Sequence, residues 1–336
     1  MNALFMQFLK EMQNKGRLKF YENHSLSLVS TFGIGGRARV FVVPFDTEAL
    51  CLVINLARKN GRYLVIGNAS NLLFDDRGYA GTVISTVKIR EISVKSHPIT
   101  VTDSRVFEKI NAKALLYASC GCMLPLLSAT ALNHGFTGFE GLCSIPATVG
   151  GAVRSNAGAF GTEISDTLVA CEMFYPSNGK IELVFPDRSA FSYRKSTVCS
   201  GGGIVLSAYF VAKEGEKENI KSRMDRVKTL RASSQPIAVK SAGSYFKRPD
   251  ERCGKMQYRG KSAGELIDRC GLKGLSVGGA SVSSKHANFI VNESGNASAN
   301  NVLALAKKIK SRVFAITGIR LSEEVEYVTC FMRKHP

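Results

Sequence analysis

The chain of 336 residues carries 45 Lys and Arg against 27 Asp and Glu, a net charge of +18, with 45% hydrophobic and 21% charged residues. That balance excludes a collagen-like or largely disordered chain, and apolar stretches as short as Met123 to Leu127 exclude a helical membrane protein, whose spans need roughly 20 consecutive apolar residues. At roughly 150 residues per domain two or three domains are expected, and the excess of positive charge calls for an anionic partner.

The N-terminal run Met1 to Leu9 has no basic residue before it and no small-residue cleavage site after it, so it reads as a short amphipathic helix rather than a signal peptide. Val40 to Pro44 is expected as a strand. Thr47 to Lys59 is expected as a helix with Leu50, Val53, Ile54 and Ala57 on its buried stripe, started by Asp46 or Thr47 and ended at Gly61. Tyr63 to Ile66 completes a βαβ unit. The next residues, Gly67, Asn68, Ala69, Ser70 and Asn71, either turn successive backbone N–H groups onto a phosphate or form an ordinary polar loop. From Gly81 to Phe210 short strands, such as Thr82 to Ser85 and Ile204 to Ser207, surround one helix with Pro125 near its start and Gly135 at its end.

The charged run Lys213 to Glu218 marks a domain boundary, followed by a basic helix from Ile220 to Arg231. Ser262 and Glu265 form a capping box for a helix from Ala263 to Cys270, stopped by Gly271. Val302, Leu305, Ile309 and Val313 mark a further helix closed at Gly318. Ile319 to Val328 alternates as one strand, with Ser322, Glu324 and Glu326 on the polar face. The expected domains are 1–80, 81–213 and 214–336.

The chain has no G-x-G-x-x-G after a strand, no phosphate-binding G-x-x-x-x-G-K-[ST] and no H-E-x-x-H. Nine cysteines without a C-x-x-C pair give no zinc or thioredoxin signature. Their odd number, without a secretory signal, fits a reducing cytoplasm, and no metal is expected. The five histidines are scattered, and His286, set among small polar residues, reads as structural. Lys and Arg are spread along the chain and Trp is absent, which argues against a general nucleic-acid binder. What remains is a series of glycine-rich polar segments: Thr31 to Gly36, Gly67 to Asn71, Ile145 to Val153 with Asn156 to Gly158, Ser241 to Lys247, and Gly278 to Ala280. Glycine lets a backbone approach a flat or charged ligand, so such loops, if they converge, line a large cofactor cleft.

These segments, in this order, resemble the UDP-N-acetylenolpyruvoylglucosamine reductase (MurB) family. The collinear motifs run from about Ser25 to Val328: Ser30 to Gly36, Gly67 to Leu73, Gly138 to Leu142, Ile145 to Gly161, Tyr193 to Ser196, Ser241 to Lys247, Gly271 to Gly274, Ser283 to Asn288, and Leu321 to Val325. The short interval between Tyr193 and Ser241 is similar to the type II branch. The resemblance implies an α+β fold, a two-domain FAD-binding module of the vanillyl-alcohol-oxidase (PCMH) type, residues 1–80 and 81–213, with a C-terminal α+β substrate domain at 214–336. It implies non-covalent FAD, NADPH as co-substrate and a UDP-sugar substrate in peptidoglycan precursor synthesis. A cytoplasmic monomer without nucleic-acid partner or membrane insertion is expected. In the implied reaction NADPH reduces the flavin and leaves, then hydride passes to C3 of the enolpyruvyl ether and a proton to C2. The wider flavin-oxidoreductase superfamily is the nearest rival reading.

By the same resemblance Arg194, Ser244 and Glu324 are the catalytic residues. A guanidinium can hold the substrate carboxylate through two parallel bonds where an ammonium cannot. Glu324 would be its electrostatic partner, with Glu323 and Glu326 close enough in sequence for a slip of register, and Ser244 would give the proton to C2. The implied cofactor contacts are Gly67, Asn68, Ala69, Ser70, Asn71, Ile145, Pro146, Thr148, Gly150, Gly151 and Asn156. The implied substrate contacts are Tyr193, Lys247 and Arg248. Three positions depart from the family pattern: Ala69 and Ala147 stand where Gly is common, and Arg248 replaces an Asn. If position 69 needs a positive φ, the alanine costs about 1–2 kcal/mol.

Overall fold

The computed structural model describes residues 2–96, 104, 108 and 114–332; His97 and His335 lie outside them. The architecture is α+β, in three units. In the first, the helix Ala3–Asn14 packs Phe5, Leu9 and Met12 inward. The strand Leu18–Ser25 pairs antiparallel with Arg37–Pro44, which pairs in parallel with Tyr79–Ser85, and Tyr63–Ile66 adds in parallel at the far edge. The helix Thr47–Lys59 crosses from the second of these strands to the last and buries its expected stripe. Asp46 starts it, accepting the amide of Ala49 at 2.8 Å, and Asn60 rather than Gly61 closes it. The strand Tyr79–Ser85 straddles the expected boundary at residue 80 and belongs to this first sheet.

The second unit is a five-stranded antiparallel sheet in the order Lys180–Val184, Leu168–Tyr175, Ile204–Val211, Leu115–Ser119, Ile92–Lys95. Two helices cover it rather than the one expected, Leu124–Asn133 and Val149–Ser155, and both bury side chains in its core. The second was hidden because seven residues with two glycines show no helical period, and each helical glycine costs about 1 kcal/mol against alanine. The Thr148 hydroxyl at its start offsets part of that.

The helix Lys217–Ser234 buries Ile220, Met224 and Val227 against Cys143 and Leu132 of the second unit, and Arg223 pairs with the buried Glu140 at 2.9 Å. By packing it belongs there, so the third unit starts after it and not at residue 214. That unit is a four-stranded sheet in the order Ser241–Ser244, Phe289–Val291, Ala280–Val282, Ser276–Val277. The helices Ala263–Arg269 and Ala299–Thr317 cover it, both capped as expected.

The units are interlocked. Phe32, Ile34 and Leu73 of the first sit in the core of the third. Asp76 of the first accepts the amides of Ala299 and Asn300 at 2.6 and 3.0 Å, closing the start of the long helix. The strand Glu326–Val328 returns to pair in parallel with Leu72–Phe74. The expected strand from Ile319 to Val328 is thus confined to its last three residues. Leu321 and Val325 are buried as the alternation requires, but the chain there docks on the Tyr245–Lys247 backbone through isolated bonds: Lys247 N to Ser322 O and Glu324 N to Tyr245 O. The alternation reports burial, not a ladder.

Candidate active site

The strand Tyr63–Ile66 ends at a loop that touches both neighbouring units. A side chain at Gly67 would place its Cβ 2.1 Å from the Thr148 hydroxyl, so only glycine allows this approach. The Asn68 amide donates to Pro146 O at 2.8 Å. The Asn71 amide donates to Glu324 O at 3.0 Å, and Glu326 N donates to Asn71 O at 3.0 Å. One short loop therefore fixes the spacing between the Ile145–Gly151 segment and the segment that carries Glu324.

Two adjoining chambers open between these segments. The smaller, about 150 Å³, is lined by Gly67, Gly150, Gly151, Cys120 and the Gly201–Gly203 turn. The larger, about 530 Å³, is lined by Ser70, Asn71, Ile145, Pro146, Arg194, Ser244, Lys247 and Glu324. Arg154, Cys199, Gly201 and Gly202 line both. Burial pushes the Cys199 thiol up to about 11 and the Cys120 thiol up to about 12, so both stay protonated at neutral pH and act as apolar wall. All nine cysteines lie among the described residues and none is disulfide-bonded.

Arg194 occupies the turn of a tight hairpin, Phe191–Ser192 with Lys195–Ser196, at φ 54°. Tyr193, beside it in the turn, has its ring centre 5.2 Å from the guanidinium carbon. The Arg194 Nε lies 2.5 Å from Glu324 Oε1, and the two side chains are 24% and 14% exposed. Glu323 instead faces Lys310 at 2.8 Å and Glu326 faces Arg154 at 3.4 Å, so the register that puts Glu324 opposite Arg194 is unambiguous. Ser244 ends the strand Ser241–Ser244, opposite Phe289, and lines the same chamber as the pair.

Of the residues expected to touch a cofactor, Gly67, Ser70, Asn71, Ile145, Pro146, Gly150 and Gly151 line the chambers. Asn68, Ala69, Thr148 and Asn156 do not: Asn68 and Thr148 hold the loop and the helix start by hydrogen bonds, and Ala69 is packed in an apolar cluster. Asn156 is fully buried, and its side chain is spent on Glu163, the Ser192 carbonyl and the Ser165 amide. It holds the hairpin that presents Arg194. Tyr193 is half exposed and its hydroxyl accepts from Arg248 N at 3.4 Å. Arg248 points to solvent and is not among the lining residues.

The sequence reading missed Arg154, Lys195, Arg231 and Gln235, all of which line the larger chamber. Burial lowers the Arg231 pKa, and no acid lies within ion-pair distance among the described residues. Gln235 Oε1 is buried and has no hydrogen-bond partner. Both are uncompensated costs of the free protein that a bound anion and a bound N–H group would offset. No local pattern marks them, because a basic helix reads as surface until it is placed against a cleft.

The chambers fit FAD. Glycine backbones without side-chain bulk line the smaller, and the orphaned Gln235 carbonyl and five cations line the larger. No group of three or more His, Cys, Asp or Glu able to hold a metal ion exists among the described residues.

Residues 235–328 match the family model described as UDP-N-acetylenolpyruvoylglucosamine reductase, C-terminal domain, and residues 38–184 match an FAD binding domain. The UDP-N-acetylenolpyruvoylglucosamine reductase of Caldicellulosiruptor bescii is 35% identical over 96% of this chain and 95% of its own. That of Carboxydothermus hydrogenoformans is 37% identical over 91% of this chain and 92% of its own. The crystal structure of the reductase (MurB) from Thermus caldophilus superimposes with a TM-score of 0.70 at 35% identity, covering 93% of this chain and 98% of that one.

Proposed function

The chain belongs to the UDP-N-acetylenolpyruvoylglucosamine reductase family, and from that premise we propose that it reduces UDP-N-acetylglucosamine enolpyruvate to UDP-N-acetylmuramate with NADPH, for peptidoglycan precursor synthesis. The observation that carries this reading is the convergence of Arg194, Glu324 and Ser244 on one chamber next to the glycine-lined one. Gly67, Gly150 and Gly151 would hold FAD, with Ser70, Asn71, Ile145 and Pro146 at its border. When bound, FAD would supply the hydride that reduces C3 of the enolpyruvyl ether, with NADPH as its source.

The protein side chains do the rest. Glu324 occupies Nε of Arg194, so the substrate carboxylate is gripped through the two terminal nitrogens, end-on. As C3 is reduced, negative charge moves into that carboxylate. A fixed cation in a partly desolvated site stabilises this charge far more than water would. Glu324 keeps the guanidinium from swinging, and Ser244 gives its hydroxyl proton to C2. Ser244 is a weak acid, but the carbon it meets is a strong base, and a positioned donor matters more than its acidity. Arg231, Lys195 and Lys247 supply cations for the diphosphate, which accounts for part of the +18 charge. The NADPH diphosphate can use the same cations once the sugar nucleotide has left, so no separate dinucleotide fold is needed.

The test starts from the visible spectrum. The purified protein should be yellow, with FAD released by denaturation. Without sugar nucleotide and without oxygen, NADPH should bleach it, and UDP-N-acetylglucosamine enolpyruvate should restore the colour. Recovery by oxygen alone would keep the flavoprotein and remove the substrate assignment.

A further inference from the structure

Among the described residues Arg154 is the one charged side chain that lines both chambers; the other residues they share are Cys199, Gly201 and Gly202. It stands near the end of the helix Val149–Ser155, three and four residues after Gly151 and Gly150. At that spacing the three share a helix face, and a long side chain leans back over the preceding turn. Arg154 therefore extends over the face that the two glycines leave bare.

Its guanidinium meets Glu326 at 3.4 Å, with the two side chains 26% and 42% exposed. Glu326 is anchored on another unit: its N–H donates to Asn71 O, and its strand pairs with Leu72–Phe74. A pair this long, with one partner this open to water, offsets little of the arginine's charge. Arg194, by contrast, is matched by Glu324 at 2.5 Å. The smaller chamber has one other charged lining residue, Arg58, and no acid. Arg58 is turned onto the Pro176 carbonyl at 2.8 Å, which leaves Arg154 as the cation at the seam of the two chambers.

Under the proposed function hydride passes from a flavin held in the glycine-lined chamber to a substrate in the larger one, so the reacting ring belongs at that seam. Hydride uptake adds two electrons and one proton to the ring, which then carries one negative charge until a second proton arrives. Glycine backbone and a protonated thiol do little for that charge. A guanidinium stabilises it, through its N–H groups and through its field in a partly desolvated site. Resting on that reading, we propose that Arg154 is a cofactor-contacting residue that stabilises the reduced flavin and raises its reduction potential, and that Glu326 is a positioning residue that draws the guanidinium partly away. Charge near the ring tunes a flavin's electronics. An unrestrained cation would favour uptake of hydride and oppose its delivery, and the loose pair with Glu326 sets a value between.

Sulfite reads this charge without turnover, because it adds to the oxidised ring with its own electron pair and leaves the ring negatively charged. In the FAD-bound protein Arg154→Gln should raise the sulfite dissociation constant at least about 10-fold, the low end of what one opposite charge does to an ionising group. The reduction potential should fall by about 30 mV, the two-electron equivalent of that factor. Arg154→Lys should recover part of both, keeping the charge without the planar fork. Glu326→Gln leaves Arg154 in place and should move both quantities the other way, by about twofold to fivefold in sulfite affinity, so the sign is tested even if Arg154→Gln fails to fold. In the Arg154→Gln background Glu326→Gln should add little, since its effect runs through the arginine. Lys273→Gln, which removes a cation paired with Asp268 outside both chambers, should change neither quantity. Unchanged potential and sulfite affinity in Arg154→Gln and Glu326→Gln, with FAD and its bleaching by NADPH retained, would overturn this inference and leave the proposed function standing. Weaker FAD binding by Arg154→Gln with sulfite affinity unchanged would also overturn it, and give Arg154 to the cofactor's diphosphate. A parent protein that takes up no FAD would remove the proposed function and this inference together.

Discussion

Glu324 engages Arg194 at Nε, 2.5 Å from its Oε1, rather than at the terminal nitrogens. The carboxylate thereby fixes the orientation of the guanidinium and leaves its terminal nitrogens as the edge open to the proposed substrate. Arg194→Lys removes that edge and should lower the rate of the enolpyruvyl half-reaction by about 10²–10³-fold, the usual loss when one fixed donor to a developing oxyanion is removed. Glu324→Gln keeps an acceptor without the charge and should cost less. Neither change should slow bleaching of the flavin by NADPH. Rapid-mixing absorbance separates the two stages, and an equal slowing of both would reduce the pair to a structural ion pair.

Gln235 offers a prediction of opposite signs. Its buried, unpartnered Oε1 destabilises the free protein and, under the proposed function, would gain a donor when the sugar nucleotide is bound. Gln235→Leu should raise the stability of the free protein by about 1 kcal/mol. It should also raise the KM for the sugar nucleotide by about 5–10-fold with little change in kcat, since one ordinary hydrogen bond is lost. Unfolding curves and steady-state kinetics check the two arms. If KM does not move, Gln235 does not touch the substrate.

Ala69 stands at φ 50° with its methyl 5% exposed, so the backbone there adopts the left-handed form that a glycine would take without strain. Three effects compete in Ala69→Gly: relief of about 1–2 kcal/mol of strain, loss of about 0.8 kcal/mol from one buried methyl and about 0.5–1 kcal/mol of added backbone freedom. They nearly cancel, which explains how alanine is accommodated in this loop. Ala69→Gly should therefore shift stability by less than about 1 kcal/mol. Ala69→Val, with a branched side chain at the same φ, should cost more than about 2 kcal/mol and weaken FAD retention. Denaturant titration measures both.

The helices Thr47–Lys59 and Ala299–Thr317 were legible in the sequence because long apolar periods and local caps write them there. Val149–Ser155 was not, being shorter than two full heptads' worth of pattern and interrupted by glycines. Arg194 and Glu324 lie 130 residues apart, and no local rule relates them. Their selection rested on family motifs, and only the fold shows that they touch. Arg231 and Gln235 carried no motif, and their importance lies in uncompensated burial, which exists only in three dimensions.

Ser244 provides the sharpest test of the chemistry. Ser241 and Ser244 open and close one short strand, but their surroundings differ. Ser241 is tied to Thr31 through its backbone, with Thr31 Oγ1 donating to Ser241 O at 2.8 Å, whereas Ser244 lines the chamber with Arg194 and Glu324. In the proposed reaction, Ser244→Ala removes a proton donor needed only after the flavin has been reduced. The NADPH stage should stay near normal, while the enolpyruvyl stage falls by at least about 10²–10⁴-fold, the usual worth of general acid catalysis. Ser244→Cys should retain part of the rate, because a thiol is the stronger acid but its larger sulfur displaces the proton. Ser241→Ala leaves the Thr31 bonds in place, since these use its backbone, and should leave the enolpyruvyl stage largely intact. Rapid-mixing traces on the three variants decide the matter: small, equal effects of Ser244→Ala on both stages would return Ser244 to the role of a turn residue and leave the proton at C2 to come from elsewhere in the chamber.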